Sequence, residues 1–242
     1  MIERLFAKAP TQPESKLWLW RLLMPPVRFV LFLFARVAIV GRENVPAQGA
    51  YIVVANHTSW KDPPVVSLAI STPIRWMAKI EVFDYPIIGF LLRGIGNFAI
   101  RRGESDRRSV ALALQVLEKG LPLGVFPEGH RSEDKKLQRG RPGIALLADR
   151  GDALIVPCGI MGTPTARLRP IRRTEVTLSF GKPFRISELP AEVRRDRQAT
   201  ADAIMLRLAE LLPNEMRGEY ANGVPRTDAE HLESGHGSAP RP

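Results

Sequence analysis

A chain of 242 residues that is 45% hydrophobic and 25% charged has ordinary globular composition. That excludes a collagen-like, low-complexity or mostly disordered protein and leaves one α/β domain with extensions or two small domains. A single cysteine, Cys158, excludes a disulfide scaffold and a cysteine-clustered metal site, while 35 Lys and Arg against 25 Asp and Glu, a formal net charge of +10, imply an anionic partner: nucleic acid, an acidic membrane surface or a phosphorylated substrate.

The first element is the apolar stretch 17–40, LWLWRLLMPPVRFVLFLFARVAIV. Its uninterrupted apolar run, Phe29 to Ala35, is far short of the ~20 residues of a spanning helix. Pro25-Pro26 should end one helix and open another. This predicts a pair of short helices, about 15–24 and about 26–40. Arg28 and Arg36 lie about 80° apart on the second and make a thin polar stripe. Trp18 and Trp20 are residue types favoured at the membrane–water interface. The pattern fits a monotopic anchor with snorkelled arginines; the alternative is a helix pair packed on the protein's own core. Glu3, Glu14 and the Pro-Pro pair do not fit a secretory signal, so the chain is expected on the cytoplasmic face of the cell membrane.

From residue 51, short β-type runs alternate with helical ones. Strands are predicted at Tyr51–Ala55, Arg75–Ala78, Phe98–Arg101, Leu123–Phe126, Leu154–Pro157 and Val176–Phe180. Helices are predicted at Pro63–Ile70, Pro86–Leu92, Asp106–Lys119, Pro142–Asp149 and Thr200–Leu212. In the third of these Val110, Leu114 and Leu117 make one apolar face, and Gly120 ends it. The alternation predicts an α/β fold, a mixed sheet flanked by helices. The domain plan is 1–40 for the membrane-associated helices, 41–212 for the α/β domain and 213–242 for a polar, disordered tail.

The charge is not evenly spread along this plan. Residues 1–185 carry 28 basic and 15 acidic side chains, a net +13, and residues 186–242 carry 7 and 10, a net −3. Of the basic residues 27 are Arg, which suits planar recognition of phosphate. They sit among apolar runs rather than in the solid basic block of a nucleic-acid-binding arm.

The first chemical constellation is residues 56–63, NHTSWKDP, after the strand YIVVA. His57 stands at a strand's C-terminal end, where α/β proteins build their sites. Asp62, five residues on, can fold back onto the imidazole. It would hold one ring proton while the other nitrogen takes a proton from an alcohol. The plainer alternative makes Asp62 a helix N-cap and His57 structural. The second constellation is residues 123–132, LGVFPEGHRS, which presents Glu128, Gly129, His130 and Arg131 on a loop after a strand. Gly129 permits close backbone approach to a ligand, and Arg131 offers forked donors to a phosphate. Residues 96–103, GNFAIRRG, add two arginines, and Lys79 follows the strand RWMA.

Together these motifs resemble the glycerolipid acyltransferase family, and its 1-acylglycerol-3-phosphate acyltransferase group in particular. N-H-x4-D is matched by Asn56, His57 and Asp62. A Gly, an apolar strand and an Arg are matched by Gly96 to Ile100 with Arg102, its neighbour Arg101 being a rival. F-P-E-G-[TS]-R-S is matched by Phe126, Pro127, Glu128, Gly129, Arg131 and Ser132. A Pro in an apolar strand is matched by Pro157 in IVPCGIMGT. The resemblance covers about residues 35–185, in the family's order. One departure is His130, where the family usually has Thr or Ser.

The resemblance implies transfer of a fatty acyl group from a thioester, acyl-CoA or acyl carrier protein, to the free hydroxyl of 1-acylglycerol 3-phosphate. His57 and Asp62 would be catalytic, with no acyl-enzyme, no metal and no cofactor beyond the acyl donor. Lys79, Arg102, Glu128, Gly129 and Arg131 would bind substrate. Membrane lipids and lysophosphatidate would be the partners, and nucleic acid would not. Two alternatives stay open. One is the same chemistry on glycerol 3-phosphate, another lysophospholipid or a lyso-ornithine lipid; the other is a non-catalytic basic membrane-binding protein.

Overall fold

The run YIVVA is β-branched and aromatic, and it forms a central strand whose five residues are all at 0% exposure. A strand buried on both faces needs cover on each side. Ile52 and Val54 face one apolar cluster, while Tyr51, Val53 and Ala55 face the other, as the two-residue period requires.

The computed structural model describes residues 16–100, 107–165 and 173–225. Among these residues the strands are β1 (Ala35–Val40), β2 (Tyr51–Ala55), β3 (Arg75–Lys79), β4 (Phe98–Ile100), β5 (Leu123–Val125), β6 (Leu154–Met161) and β7 (Thr174–Phe180). The helices are α1 (Leu17–Phe34), α2 (Asp62–Ala69), α3 (Pro86–Gly94), α4 (Arg107–Glu118), α5 (Gly143–Arg150), α6 (Ala191–Arg195) and α7 (Arg197–Ala209). The strands form one sheet in the order β1-β7-β6-β2-β5-β3-β4. From β6 to β4 all neighbours are parallel; β7 runs antiparallel to β6, and β1 parallel to β7. The sheet is therefore mixed and flanked by helices.

On one face Leu112 and Val116 of α4, Ile144 and Leu147 of α5, and Ile204 and Met205 of α7 cover Ile52, Leu123 and Ile155. On the other, Val65, Val66 and Ala69 of α2 cover Tyr51, Val53, Val156 and Cys158. The parallel strands β2 and β5 end together, so the loops after them share one edge of the sheet.

Two expectations are corrected. The N-terminal helical pair is one continuous helix, α1, with Pro25 and Pro26 inside it. Both prolines, and the Arg21 and Leu22 carbonyl positions that lose their helical donors, lie on the exposed side, where water can serve the freed groups. Residues 35–40 are not helical. Ala35, Val37 and Ile39 turn inward in strand alternation and pair along β7 from Ala35 beside Thr174 to Val40 beside Ser179. The sheet thus starts before residue 41. Among the described residues no helix is long and apolar enough to cross a membrane.

The tail is also corrected over residues 213–225. Two short 3-10 turns, Asn214–Met216 and Gly218–Tyr220, dock against the domain. Tyr220 is buried; its hydroxyl donates to Asp202 Oδ1 at 2.7 Å and accepts from the Gly140 N–H at 3.1 Å. Residues 226–242 lie outside the described residues.

Candidate active site

The end of β2 leads straight into Asn56 and His57. The Asn56 side chain is clamped across to β6: its Nδ2 donates to the Ile160 carbonyl at 2.9 Å, and its Oδ1 accepts from the Ile160 N–H at 2.7 Å. This two-point bond fixes where the loop leaves the sheet. His57 follows, 5% exposed.

Asp62 is the first residue of α2 and is fully buried. Its Oδ2 lies 3.0 Å from His57 Nδ1 and accepts from the Thr58 N–H at 2.8 Å and the Ser59 N–H at 2.7 Å. Its Oδ1 accepts from the Thr163 hydroxyl at 2.5 Å. These donors precede the helix or come from beyond β6, so the carboxylate does not act as an N-cap toward the helix's own amides. An oxygen that already accepts two N–H groups faces Nδ1 as an acceptor, which sets Nδ1–H as the donor tautomer. Nε2 then carries the lone pair. Nε2 has no hydrogen-bond partner among the described residues.

The imidazole is also held from its face. Its ring stacks on Phe126 at 4.0 Å and 16°, and Phe126 stacks on Trp76 at 4.8 Å and 15°. The Trp76 indole N–H donates to Ser67 Oγ of α2 at 3.0 Å. Gly124 makes room for this indole: a Cβ there would sit 2.4 Å from Trp76 Cε3.

Glu128 lies in the loop after β5 and is 2% exposed. Its Oε1 accepts from the His57 N–H at 2.7 Å, and its Oε2 accepts from the Gln138 N–H at 3.0 Å. Both oxygens face backbone rather than the open side, so Glu128 braces the His57 loop where substrate contact was expected. Burial pushes its carboxyl up to about 7; the two N–H donors oppose this, and the Asp62 charge adds to it. Gly129 turns the loop at φ +77°, and the Ser132 N–H returns to the His57 carbonyl at 2.8 Å. The motif after β5 is thereby tied to the motif after β2 on both sides of His57.

Arg131 is exposed on this loop, one residue before that tie. His130 is exposed beside it. Lys79 ends β3, with Nζ 3.0 Å from Glu81 Oε1 in a pair that is about half exposed. Arg101 and Arg102 lie outside the described residues. Cys158 is buried, and burial pushes its thiol well above the ordinary range, so it is a core side chain.

Three groups were not found in the sequence. Thr163 reaches Asp62 across 101 positions. Trp76 supports Phe126 from a separate strand. Arg141 lays its side chain over Gly129 and donates through Nε to the Glu128 carbonyl at 3.3 Å. Thr163 closes the run IVPCGIMGT, and no local spacing links it to Asp62. The arrangement can deprotonate a hydroxyl at Nε2, hold the resulting imidazolium, and present the exposed Arg131 to an anion.

A family model described as Acyltransferase matches residues 36–161. The 1-acyl-sn-glycerol-3-phosphate acyltransferase of Bacillus subtilis is 30% identical over 192 residues, covering 76% of this chain and 92% of that protein. A 1-acyl-sn-glycerol-3-phosphate acyltransferase of Chlamydomonas reinhardtii is 33% identical over 202 residues, covering 79% of this chain and 58% of that protein. The crystal structure of the 1-acyl-sn-glycerophosphate (LPA) acyltransferase PlsC from Thermotoga maritima aligns with a TM-score of 0.60 at 25% identity, covering 78% of this chain and 80% of that one. The mixed sheet is thus shared with a known acyltransferase, and the motifs lie where the family model matches. The chain belongs to the acyltransferase family and is an O-acyltransferase.

Proposed function

We propose that this protein transfers a fatty acyl group from acyl-CoA or acyl carrier protein to the free hydroxyl of 1-acylglycerol 3-phosphate, giving phosphatidate. The observation that carries the reading is the His57–Asp62 pair, with Nδ1 3.0 Å from Oδ2 and Nε2 without a partner among the described residues. His57 Nε2 takes the hydroxyl proton as the oxygen attacks the thioester carbonyl. Asp62 holds the ring tautomer and stabilises the imidazolium. The tetrahedral centre then collapses, the C–S bond breaks, and the thiolate leaves and recovers the proton from the imidazolium. No acyl-enzyme forms on this route. The buried, protonated Cys158 is in keeping with that.

Arg131 and Lys79, with Arg102, are assigned to the acceptor phosphate, and Gly129 to close backbone approach. Glu128 acts through His57 rather than on substrate. The acceptor follows the names of the relatives, and the donor follows the chemistry of a thioester.

The protein is proposed to sit on the cytoplasmic face of the cell membrane without crossing it. Supporting this, Trp18, Leu22, Phe29 and Phe32 of α1 are each about 60% exposed. A soluble globular surface rarely leaves so many large apolar side chains together.

The test is a donor-by-acceptor matrix with labelled acyl groups on the full chain. Turnover should be highest with lysophosphatidate, and His57→Ala should lower kcat by about 10²–10⁴-fold with the fold intact. Unchanged turnover in His57→Ala would sink the mechanism. A stronger rate on glycerol 3-phosphate or an ornithine lipid precursor would move the acceptor.

A further inference from the structure

We propose that the groove between α1, β1 and α2 binds one molecule of an anionic phospholipid, separately from the His57 site; the inference rests on the membrane reading above. The groove holds about 360 Å³, within the range of small-molecule clefts. Its floor is apolar, made by Leu31 of α1, Val37 and Ile39 of β1 and Leu68 of α2. Its rim is cationic, made by Arg28 of α1, Arg36 of β1 and Arg173 just before β7. Among the described residues no acidic side chain lines it.

The three arginines are exposed, and none has a carboxylate partner among the described residues. Arg28, Leu31 and Phe32 are three and four positions apart, so one helix face carries both the charge and the apolar floor. The Arg173 guanidinium lies 4.3 Å from the centre of the Phe32 ring, a cation–π contact that holds it at the rim. A free phosphate would leave the floor wet. An uncharged lipid would leave three guanidinium groups without a counter-ion. A phospholipid with a negative head satisfies both, with its phosphate on the forked arginines and its chain on the floor.

The placement has a consequence for the reaction. Arg173 leads into β7, whose Thr177 pairs with Met161 at the end of β6, two residues before the Thr163 that holds Asp62. A lipid seated on Arg173 therefore holds the catalytic edge of the sheet against the bilayer that supplies the acceptor. This is a local site, distinct from the diffuse attraction of a +10 protein to an acidic surface.

The experiment measures binding of a short-chain phosphatidylglycerol, kept below its micelle concentration, to the full chain by calorimetry. Short-chain phosphatidylcholine is the neutral comparison. Phosphatidylglycerol should bind one to one and phosphatidylcholine should not. The combined variant Arg28→Gln, Arg36→Gln, Arg173→Gln should weaken binding on the order of a hundredfold. Arg194→Gln, Arg195→Gln, Arg197→Gln removes the same charge from exposed positions of α6 and α7 and should cost less than about threefold. Val37→Trp fills the floor at unchanged charge and should also abolish binding. Equal losses in the two triple variants, retention in the first, or displacement of the lipid by acyl-CoA would overturn the site. Turnover of a detergent-dispersed acceptor should stay at the wild-type level in all three variants. Absence of that turnover in the wild-type protein would count against acyl transfer while leaving the lipid-binding result standing.

Discussion

Thr163→Val removes one oxygen and keeps the shape of the side chain. In the structure that oxygen donates to Asp62 Oδ1 at 2.5 Å, and both residues are at 0% exposure. Water cannot replace the lost donor, so a buried carboxylate oxygen is left short of a partner. Hydrogen bonds to charged groups are worth about 1.5–3 kcal/mol. The same figure bounds the loss of stability, seen as a lower denaturant midpoint at unchanged m. Expressed in the orientation of the dyad, it lowers kcat by about 10–150-fold. Thr163→Ser retains the donor and should recover most of the rate. The assay is kcat of acyl transfer beside urea unfolding of both variants. A Thr163→Val protein with wild-type kcat and wild-type stability would refute the reasoning.

Gly124→Ala places a Cβ 2.4 Å from Trp76 Cε3, so the indole must shift and the Phe126–His57 stack with it; about 1–3 kcal/mol of stability and part of kcat should be lost, measured by unfolding and by turnover. Glu128 has its carboxyl raised from 4.5 to about 7 in the fold. The native state therefore holds more protons than the unfolded one between those values, and this group's contribution falls as pH rises from about 4.5 through 7, with a slope of at most about 1.4 kcal/mol per pH unit. Glu128→Gln should flatten that part of the stability–pH curve, and an unchanged slope would remove Glu128 as its source. Tyr220→Phe breaks the bonds to Asp202 and Gly140 and should cost about 1–3 kcal/mol, read from the denaturant midpoint; no change would mean that these two hydrogen bonds add nothing to the stability of the domain.

Much of the fold was legible because the strands are short and apolar and the helices carry strong start and stop signals. YIVVA, RWMA and LGVF became β2, β3 and β5, and the run from Arg107 became α4. The misreadings share a cause. Pro25-Pro26 reads as a break only where the freed carbonyls lack another partner, and here they face solvent. Residues 35–40 look helical beside the apolar run before them, but pairing with β7, about 140 positions away, makes them a strand. The segment 213–225 has no apolar periodicity; the buried Tyr220 with its two hydrogen bonds, and backbone bonds between Leu137 and both Met216 and Glu219, anchor it.

The same division runs through the site. His57 and Asp62 are close in sequence, so a five-residue spacing suffices to predict that they can meet. The residues by themselves determined the alternation of sheet and helix and the motifs that carry the likeness to the acyltransferases, since each depends on local pattern. The tertiary structure alone decided that Glu128 braces the His57 backbone, that Thr163 completes the Asp62 carboxylate, and that Arg28, Arg36 and Arg173 share one groove. Those contacts join residues separated by 71, 101 and more than 130 positions. A parallel sheet brings such distant strand ends to one edge only after its whole order is set, and no local spacing encodes that order.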